Sequence, residues 1–354
     1  MPPGTLTALR PRLPAGFRPR RVLFFGKNMA RSRCTGALVH ALQDHGLEVR
    51  WVNLSTMRRW LGMNRALRKA RLICESFEPD LVFVFCRDLP LVLLEEFGQK
   101  VPTVLWVEEP LDDIDASHAD YMRRADLVCL SNPAKRLWLR EHGVLNMMFL
   151  MSGFSPRFHY PVRGRERRDL VFIGGPGRNG QRAEFLAEIA RHCDTEVFGA
   201  GWEPYRRKYS SLRIGRPVKV AGFRRLCATS RIVLGLNQVN EDPLYFSNRT
   251  FLTLACRAFH LTRYVPGLEE VFQDGKHLVW YRDAEECIER IRHYLGAEDE
   301  RLRIASQGHE FAMAHHQYRN RISQILTALR EGLDQSESAL PLRGTGSKPR
   351  LATQ

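Results

Sequence analysis

The chain has 354 residues, an apolar fraction of 44% and a formal net charge of +15. This length suits two domains with separate cores, and no apolar run approaches the roughly 18 residues that a membrane-spanning helix needs. The charge favours anionic partners without choosing among a nucleotide sugar, nucleic acid and an anionic membrane surface.

The eight cysteines show no Cys-x-x-Cys spacing, and most lie inside apolar runs, as Cys86 and Cys129 do. This pattern is typical of small buried thiols. The N-terminus also lacks the apolar core of a secretion signal. We therefore predict a cytoplasmic protein.

Residues 1–20 are rich in Arg, Pro and Ala and contain no acidic residue. A transit peptide and a disordered basic leader both fit this composition. A strand pattern begins immediately at Arg21 with no clear cleavage region before it, which favours the leader. Residues 332–354 are rich in Ser, Gly and Pro and are predicted to form a disordered tail.

The first folded domain is predicted over residues 21–160. It opens with the apolar run RVLFFG, which ends in Gly26 and leads through a polar loop into an amphipathic helix. Further strands are predicted at residues 48–53, 80–86, 103–107, 127–130 and 147–151. Near-continuous apolar strands separated by helical stretches indicate a doubly wound α/β domain with helices on both faces of its sheet.

Residues 151–168 combine Gly, Pro and charged residues, as interdomain connections do. The pattern of the first domain then recurs: DLVFIGG is a strand running into Gly174 and Gly175, and QRAEFLAEIARHC is an amphipathic helix. A further buried strand ends at Asn237. A second doubly wound domain is predicted over residues 169–315.

Residues 245–295 contain Asn-Arg-Thr-Phe, then Leu-Ala-Cys, then VPGLEEVFQDGKHLVWY. This order of motifs resembles the donor half of group 1 glycosyltransferases, and most of all their CgeB-like (spore maturation protein) branch. The resemblance is strong over residues 169–329 and looser over residues 21–161. This chain has Leu252 where those enzymes usually have a Glu that commonly holds the donor ribose, and it has Arg257 where they have a Gly.

The resemblance implies the glycosyltransferase-B (GT-B) architecture, in which two doubly wound Rossmann-like domains face each other across a cleft. Residues 21–160 would then form the acceptor-side domain and residues 169–315 the nucleotide-sugar-binding domain. Residues 316–331 would form a helix that crosses back to the first domain.

Parallel sheets bind ligands at the carboxyl ends of their strands, and a nucleotide diphosphate needs close backbone N–H groups and positive charge. Glycines after strands also form ordinary turns, and exposed arginines are often simply solvated. The donor residues predicted at these positions are Gly174, Gly175, Arg182, Asn237, Asn248 and Arg249. Either Ser247 or Asn248 is predicted to cap the helix at Arg249. The resemblance adds Gly267 and Glu269 beside the donor sugar.

An inverting glycosyl transfer needs a base that takes the proton of the acceptor hydroxyl. The loop WVEEPLDDID gathers five carboxylates after a predicted strand, and like charges can raise a carboxylate pKa. We predict Glu109 or Asp112 as this base, with Gly26, Asn28 and Glu108 on the acceptor side. A solvated loop remains an equal alternative. The acids lack the spacing of a metal site, so no metal is predicted.

Other features also have two explanations. The loop after Gly26 lacks the G-x-G-x-x-G spacing of a dinucleotide site, and it forms either a structural turn or a ligand loop. Trp202 either stacks on a base or fills the edge of its domain, and we favour packing. His315 and His316 are predicted to serve packing or a helix terminus rather than catalysis.

The predicted function is hexosyl or other glycosyl transfer from a nucleotide-diphosphate sugar to an unidentified glycan, lipid or protein acceptor, without a metal or bound cofactor. Peripheral contact with an anionic membrane fits the charge, and nucleic acid is not the expected partner. The alternative is a non-catalytic nucleotide- or polyanion-binding protein that keeps the fold. Leu252 replaces a donor contact, and the charge would suit a polyanion such as nucleic acid.

Overall fold

The structure is a computed structural model that describes residues 16–27 and 33–331. Most of the predicted leader, the whole predicted tail and the candidate acceptor-side residue Asn28 lie outside the described residues.

The N-terminal domain is built on six parallel strands in the order β2-β1-β3-β4-β5-β6. Helices cover both faces of this sheet, so β3 and β4 are buried at every position. The strands are β1 (Arg21–Phe25), β2 (Glu48–Val52), β3 (Leu81–Phe85), β4 (Thr103–Val107), β5 (Leu127–Leu130) and β6 (Met147–Phe149). The helices are α1 (Arg33–Asp44), α2 (Leu54–Leu61), α3 (Met63–Phe77), α4 (Leu91–Gly98), α5 (Ala116–Met122) and α6 (Arg136–Glu141). Each predicted strand of this domain is present, with ends within two residues of the prediction.

The C-terminal domain repeats this plan with six parallel strands in the order β12-β11-β10-β7-β8-β9. The strands are β7 (Arg168–Ile173), β8 (Thr195–Phe198), β9 (Arg213–Gly215), β10 (Ser230–Gly235), β11 (His260–Arg263) and β12 (Val279–Tyr281). The helices are α7 (Gln181–Ile189), α8 (Tyr205–Lys208), α9 (Val220–Thr229), α10 (Arg249–Ala255), α11 (Ala284–Gly296), α12 (Glu298–His315) and α13 (Tyr318–Glu331). The predicted pair of doubly wound α/β domains is therefore confirmed.

The strand order places a topological switch point in the C-terminal sheet. Strand β7 pairs with β8 on one side and with β10 on the other. From β7 the chain continues outward through β8 to β9, and it then returns to add β10 on the opposite side of β7. The crevice between the carboxyl ends of β7 and β10 is the position where such sheets bind ligands.

The last helix, α13, leaves its own domain and packs on the N-terminal one. Its apolar face, including Ile322, joins the cluster that contains Leu38 of α1. The two stretches of chain that pass between the domains are hydrogen-bonded to each other. Phe154 donates its N–H to the carbonyl of His316 at 3.2 Å, and Tyr318 donates its N–H to the carbonyl of Phe154 at 2.8 Å.

All eight cysteines are free thiols. Four of them are buried in the cores, and the other four are partly exposed, so the prediction of buried thiols is confirmed for half of them. Within the part of the chain that the structure describes, no helix combines the length and the apolarity that crossing a membrane requires.

Candidate functional site

Several predicted donor residues converge at the switch point of the C-terminal sheet. Nε of Arg182 donates to the carbonyl of Asn237 at 3.3 Å, and its Nη1 donates to the carbonyl of Gly175 at 3.5 Å. Nη2 of Arg249 donates to the carbonyl of Leu236 at 3.3 Å. Two arginine side chains from different helices therefore span the crevice between β7 and β10.

Gly174 provides space in this crevice rather than a hydrogen-bond donor. Its N–H donates to the carbonyl of Phe198 at 2.9 Å, so it continues the sheet and is not directed at a ligand. A Cβ at Gly174 would lie 3.0 Å from Nη1 of Arg249 and 2.8 Å from the ring of Phe172. A side chain here would crowd both the Phe172 ring and the guanidinium group, so close packing favours glycine at this position.

Trp202 packs against the end of β7, next to Gly174. It is fully buried, and its Nε1 donates to the carbonyl of Gly174 at 2.8 Å. Its ring packs edge-on against Phe172 in the core of the domain. The packing role predicted for Trp202 is therefore confirmed.

Arg182 presents a partly desolvated positive charge. Burial lowers the pKa of its guanidinium group from the ordinary value, although arginine stays protonated near neutral pH. Both of its hydrogen bonds go to neutral carbonyl groups, and no carboxylate among the described residues forms an ion pair with it. A cation in this setting favours an incoming anion.

A cavity of about 220 Å³ lies beside Arg182 and is lined from both domains. Asp112 comes from the acidic loop of the N-terminal domain, and Arg178 and Gln238 come from the C-terminal domain. Arg178 pairs with Asp112 at 3.3 Å and with Asp113 at 3.0 Å, and Gln238 donates to Asp112 at 3.2 Å. The acidic loop thus contacts the loops that follow β7 and β10 directly.

Arg178 was not predicted as a site residue, although the sequence around it carries a signal. Arg178 stands between Gly177 and Gly180 in a turn that directly follows β7 and precedes α7. Both glycines have left-handed backbones, and a Cβ at Gly180 would lie 2.5 Å from the hydroxyl of Tyr205. A charged residue between two obligatory glycines after a strand is typical of a phosphate-binding turn.

A second interdomain cavity, of about 160 Å³, lies near the start of α10. Glu108 and Ser152 line it from the N-terminal side, and Tyr245 and Asn248 line it from the C-terminal side. Oε1 of Glu108 accepts hydrogen bonds from the hydroxyls of Ser152 and Tyr318. Burial raises the pKa of the Glu108 carboxyl, and its hydrogen bonds reduce that shift. A cleft carboxyl with a raised pKa suits proton transfer near neutral pH.

Glu109, which was predicted as the base, has different surroundings. It forms an ion pair with Arg87 at 3.5 Å, with both side chains about two-fifths exposed, and it lines neither cleft cavity. Glu108 and Asp112 each line one of the two cavities. Two other carboxylates of the acidic loop therefore lie at the cleft cavities, and Glu109 does not.

The start of α10 also differs in detail from the prediction. Asn248 occupies the N-cap position without a side-chain cap bond, and its amide instead donates to Sγ of Cys34 in the other domain at 3.5 Å. Ser247 Oγ accepts the N–H of Arg249 at 3.4 Å. Of the two predicted capping residues, Ser247 therefore fills that role and Asn248 links the domains.

The remaining predicted residues lie around this centre. The carbonyl of Gly26 accepts a hydrogen bond from Nε1 of Trp51 at 3.0 Å. Gly267 has a left-handed backbone, and a Cβ at this position would lie 3.1 Å from Leu244, which lines the smaller cavity. Glu269 is exposed and accepts the hydroxyl of Tyr264 at 3.0 Å. Gly26 and Glu269 line neither of the two cavities.

His316 and Leu252 both have packing roles. His316 is buried against the ring of Phe251, and burial lowers its pKa to about 3, so it is neutral in the folded protein. The structural role predicted for His316 is confirmed. Leu252 is buried in the core of the C-terminal domain. Leu252 therefore makes apolar contacts at the position where the resemblance implies a carboxylate.

Comparison with known proteins agrees with this geometry. Residues 178–327 match the model of the glycosyl transferase-like family. No curated protein gives a significant match to the chain. Anabaena HepE, solved with UDP and glucose, is 13% identical with a TM-score of 0.62, and the alignment covers 87% of this chain and 100% of HepE.

Two further structures extend the comparison. Sucrose-phosphate synthase from Thermosynechococcus elongatus is 11% identical with a TM-score of 0.64, covering 88% of this chain and 99% of the synthase. A glycosyltransferase from Rickettsia africae is 11% identical with a TM-score of 0.62, covering 90% of this chain and 100% of that enzyme. The chain therefore has the two-domain GT-B fold, and most of its C-terminal domain matches the glycosyl transferase-like family.

Proposed function

We propose that the protein transfers a sugar from a nucleotide-diphosphate donor to an acceptor hydroxyl held in the interdomain cleft. The observation that carries this proposal is the pair Arg182 and Arg249 at the switch point beside Gly174. The structural neighbour HepE was solved with UDP and glucose, so UDP is the first nucleotide to test.

The chemistry of transfer explains why the two arginines are needed. As the bond between the sugar and the diphosphate breaks, negative charge grows on the leaving phosphate oxygens. Arg182 and Arg249 are held by backbone carbonyls before a ligand arrives, so their charges need little reorganisation during the reaction. In this proposal they supply the positive charge that a divalent ion supplies in other transferases.

The acceptor side of the reaction is assigned to the cavity at Glu108. The acceptor hydroxyl must lose a proton as it attacks the sugar, and Glu108 is the carboxyl that lines the cavity facing Ser247 and Asn248. Its hydrogen bonds from Ser152 and Tyr318 fix the orientation of the carboxyl. Asp112 is the alternative base, since it reaches the neighbouring cavity.

The test is a nucleotide screen by thermal shift on the full chain, with UDP, GDP and TDP as ligands and heparin as a polyanion. A nucleoside diphosphate in hundredfold excess over its Kd stabilises the fold by about 2.7 kcal/mol. Raised salt should weaken heparin binding steeply, because polyanion binding releases counterions. Stabilisation by heparin alone would overturn the proposal in favour of a polyanion-binding protein.

A further inference from the structure

A cavity of about 570 Å³ lies at the opposite edge of the C-terminal domain from the donor residues. Its walls come from the interdomain linker at residues 161–166, the start of β10, the turn after α10 and the start of α12. Strand β10 begins at this cavity with Ser230 and ends at the switch point, roughly 17 Å away at the usual rise per residue. The transfer reaction proposed above does not use this cavity.

Arg301 is the central side chain of the cavity. It is 1% exposed, its Nη1 donates to the carbonyl of Tyr294 at 2.9 Å, and its Nη2 donates to Glu166 at 2.6 Å. Its Nε is buried and has no hydrogen-bond partner among the described residues. A buried charged donor without an acceptor is unfavourable, and this donor belongs to a side chain that lines the cavity.

The charge of the lining favours an anion. Four guanidinium groups, those of Arg165, Arg231, Arg257 and Arg301, face only two carboxylates, Glu166 and Glu298. Arg231 is paired with Asp169 at 2.9 Å, outside the cavity lining. The remaining excess of positive charge sits in a concave surface, where it attracts anions more strongly than on an open face.

Arg257 also lines the cavity and has an unusual backbone conformation. Its backbone φ is 56°, in the left-handed region where glycine is unstrained and a long side chain is not. Its guanidinium group donates to Oγ of Ser306 at 3.1 Å and lines the cavity. The chain thus keeps a cation at a position where its backbone conformation favours glycine.

We propose that this cavity binds a small molecule through its phosphoryl group, with Arg301 and Arg257 as the main contacts. The planar fork of a guanidinium group matches phosphate oxygens, and the cavity is large enough for a molecule bigger than phosphate alone. Glu166 belongs to the interdomain linker and holds Arg301 of α12. A ligand here therefore lies against one of the two connections between the domains.

Calorimetric titration of pyrophosphate into the full chain tests this inference. Arg257→Gly should weaken binding at this site by at least about tenfold, the factor for loss of one charged hydrogen bond. Glycine accepts the left-handed backbone, so the melting temperature of this variant without ligand should stay the same or rise. Arg301→Lys, which keeps the charge but loses the planar fork, should weaken binding similarly.

Arg249→Ala is the matched control, because it removes a donor-side arginine and leaves this cavity intact. Pyrophosphate binding that survives Arg249→Ala and is lost in Arg257→Gly supports the inference, whatever the outcome at the donor site. Binding that is unchanged in Arg257→Gly and Arg301→Lys overturns it. Binding that disappears entirely in Arg249→Ala also overturns it and leaves only the donor-side site.

Discussion

The hydroxyl of Tyr318 donates to Oε1 of Glu108 at 3.2 Å, which joins the first residue of the crossing helix to the acidic loop of the N-terminal domain. The same hydroxyl approaches Sγ of Cys34 at 3.3 Å. Residues far apart in the chain thus hold a single carboxyl at the edge of the cleft. Its fixed position and raised pKa make Glu108 the residue to test first.

Glu108→Gln should lower turnover by about a hundredfold or more while UDP affinity stays the same, because glutamine keeps the size of the side chain but cannot accept a proton. Steady-state transfer and calorimetric UDP titration give the two readouts. Glu109→Gln is the control, since its exposed ion pair with Arg87 contributes little. A large loss of turnover in Glu109→Gln alone would return the role of base to that residue.

Turnover should rise with pH through the raised pKa of Glu108, because the base acts in its ionised form. Stability should change in the opposite direction. A carboxyl whose pKa is raised by folding stabilises the protein below its unfolded pKa, and this contribution is lost as pH rises through the folded value. Glu108→Gln removes this pH dependence. As pH rises across that interval, the melting temperature of the wild type should therefore fall relative to that of the variant. A constant difference would show that the carboxyl is not buried in solution.

Arg182→Ala and Arg249→Ala should each weaken UDP binding by about 1.5 to 3 kcal/mol, the range for a hydrogen bond to a charged group. Arg207→Ala is the matched control, because Arg207 is exposed on α8 and lines neither cleft cavity. The measurement is calorimetric titration, with circular dichroism to confirm folding. Equal affinity in the three variants would remove both arginines from the donor site.

Asp112→Asn should strengthen UDP binding severalfold. The Asp112 carboxylate pairs with Arg178 at 3.3 Å, and its replacement removes a negative charge from the cavity lining and leaves Arg178 paired with Asp113 alone. Titration at low and high salt should show the gain shrinking as ionic strength rises. If turnover instead falls about a hundredfold at unchanged affinity, Asp112 is the base.

Acid should destabilise the fold from about pH 6.5 downward, since burial lowers the pKa of His316 to about 3 and of His260 to about 4. A histidine with a lowered folded pKa stabilises the protein above its unfolded pKa, and this contribution is lost as pH falls toward the folded value. One pKa unit corresponds to about 1.4 kcal/mol. Urea unfolding between pH 7 and pH 4 measures this loss, and a flat profile would contradict neutral, buried rings.

Much of the fold could be predicted from local patterns. An apolar run that ends in glycine identified β1 and β7, and the strand ends predicted at residues 103–107 and 127–130 agree with β4 and β5. The arginines at the switch point could be selected because strand ends and helix starts are both visible in a sequence. Local periodicity and turn chemistry determine these features.

The cavity at Glu108 could not be predicted in the same way. The choice between Glu108 and Glu109 depends on how the chain turns after Val107, and no periodicity fixes the side-chain direction outside a strand. Contacts of Glu108 with Ser152 and Tyr318 join residues separated by tens to hundreds of positions. Only tertiary packing brings such groups together.

The position of α13 affects how parts of this protein can be exchanged with those of other enzymes. Because α13 covers α1, a fragment that ends in the interdomain linker would lose the helix that shields Leu38 and its neighbours. A chimera that replaces the C-terminal sheet therefore needs two junctions, one in the linker and one just before Tyr318. The C-terminal sheet is then exchanged as an insert between the linker and α13 rather than as the second half of the chain.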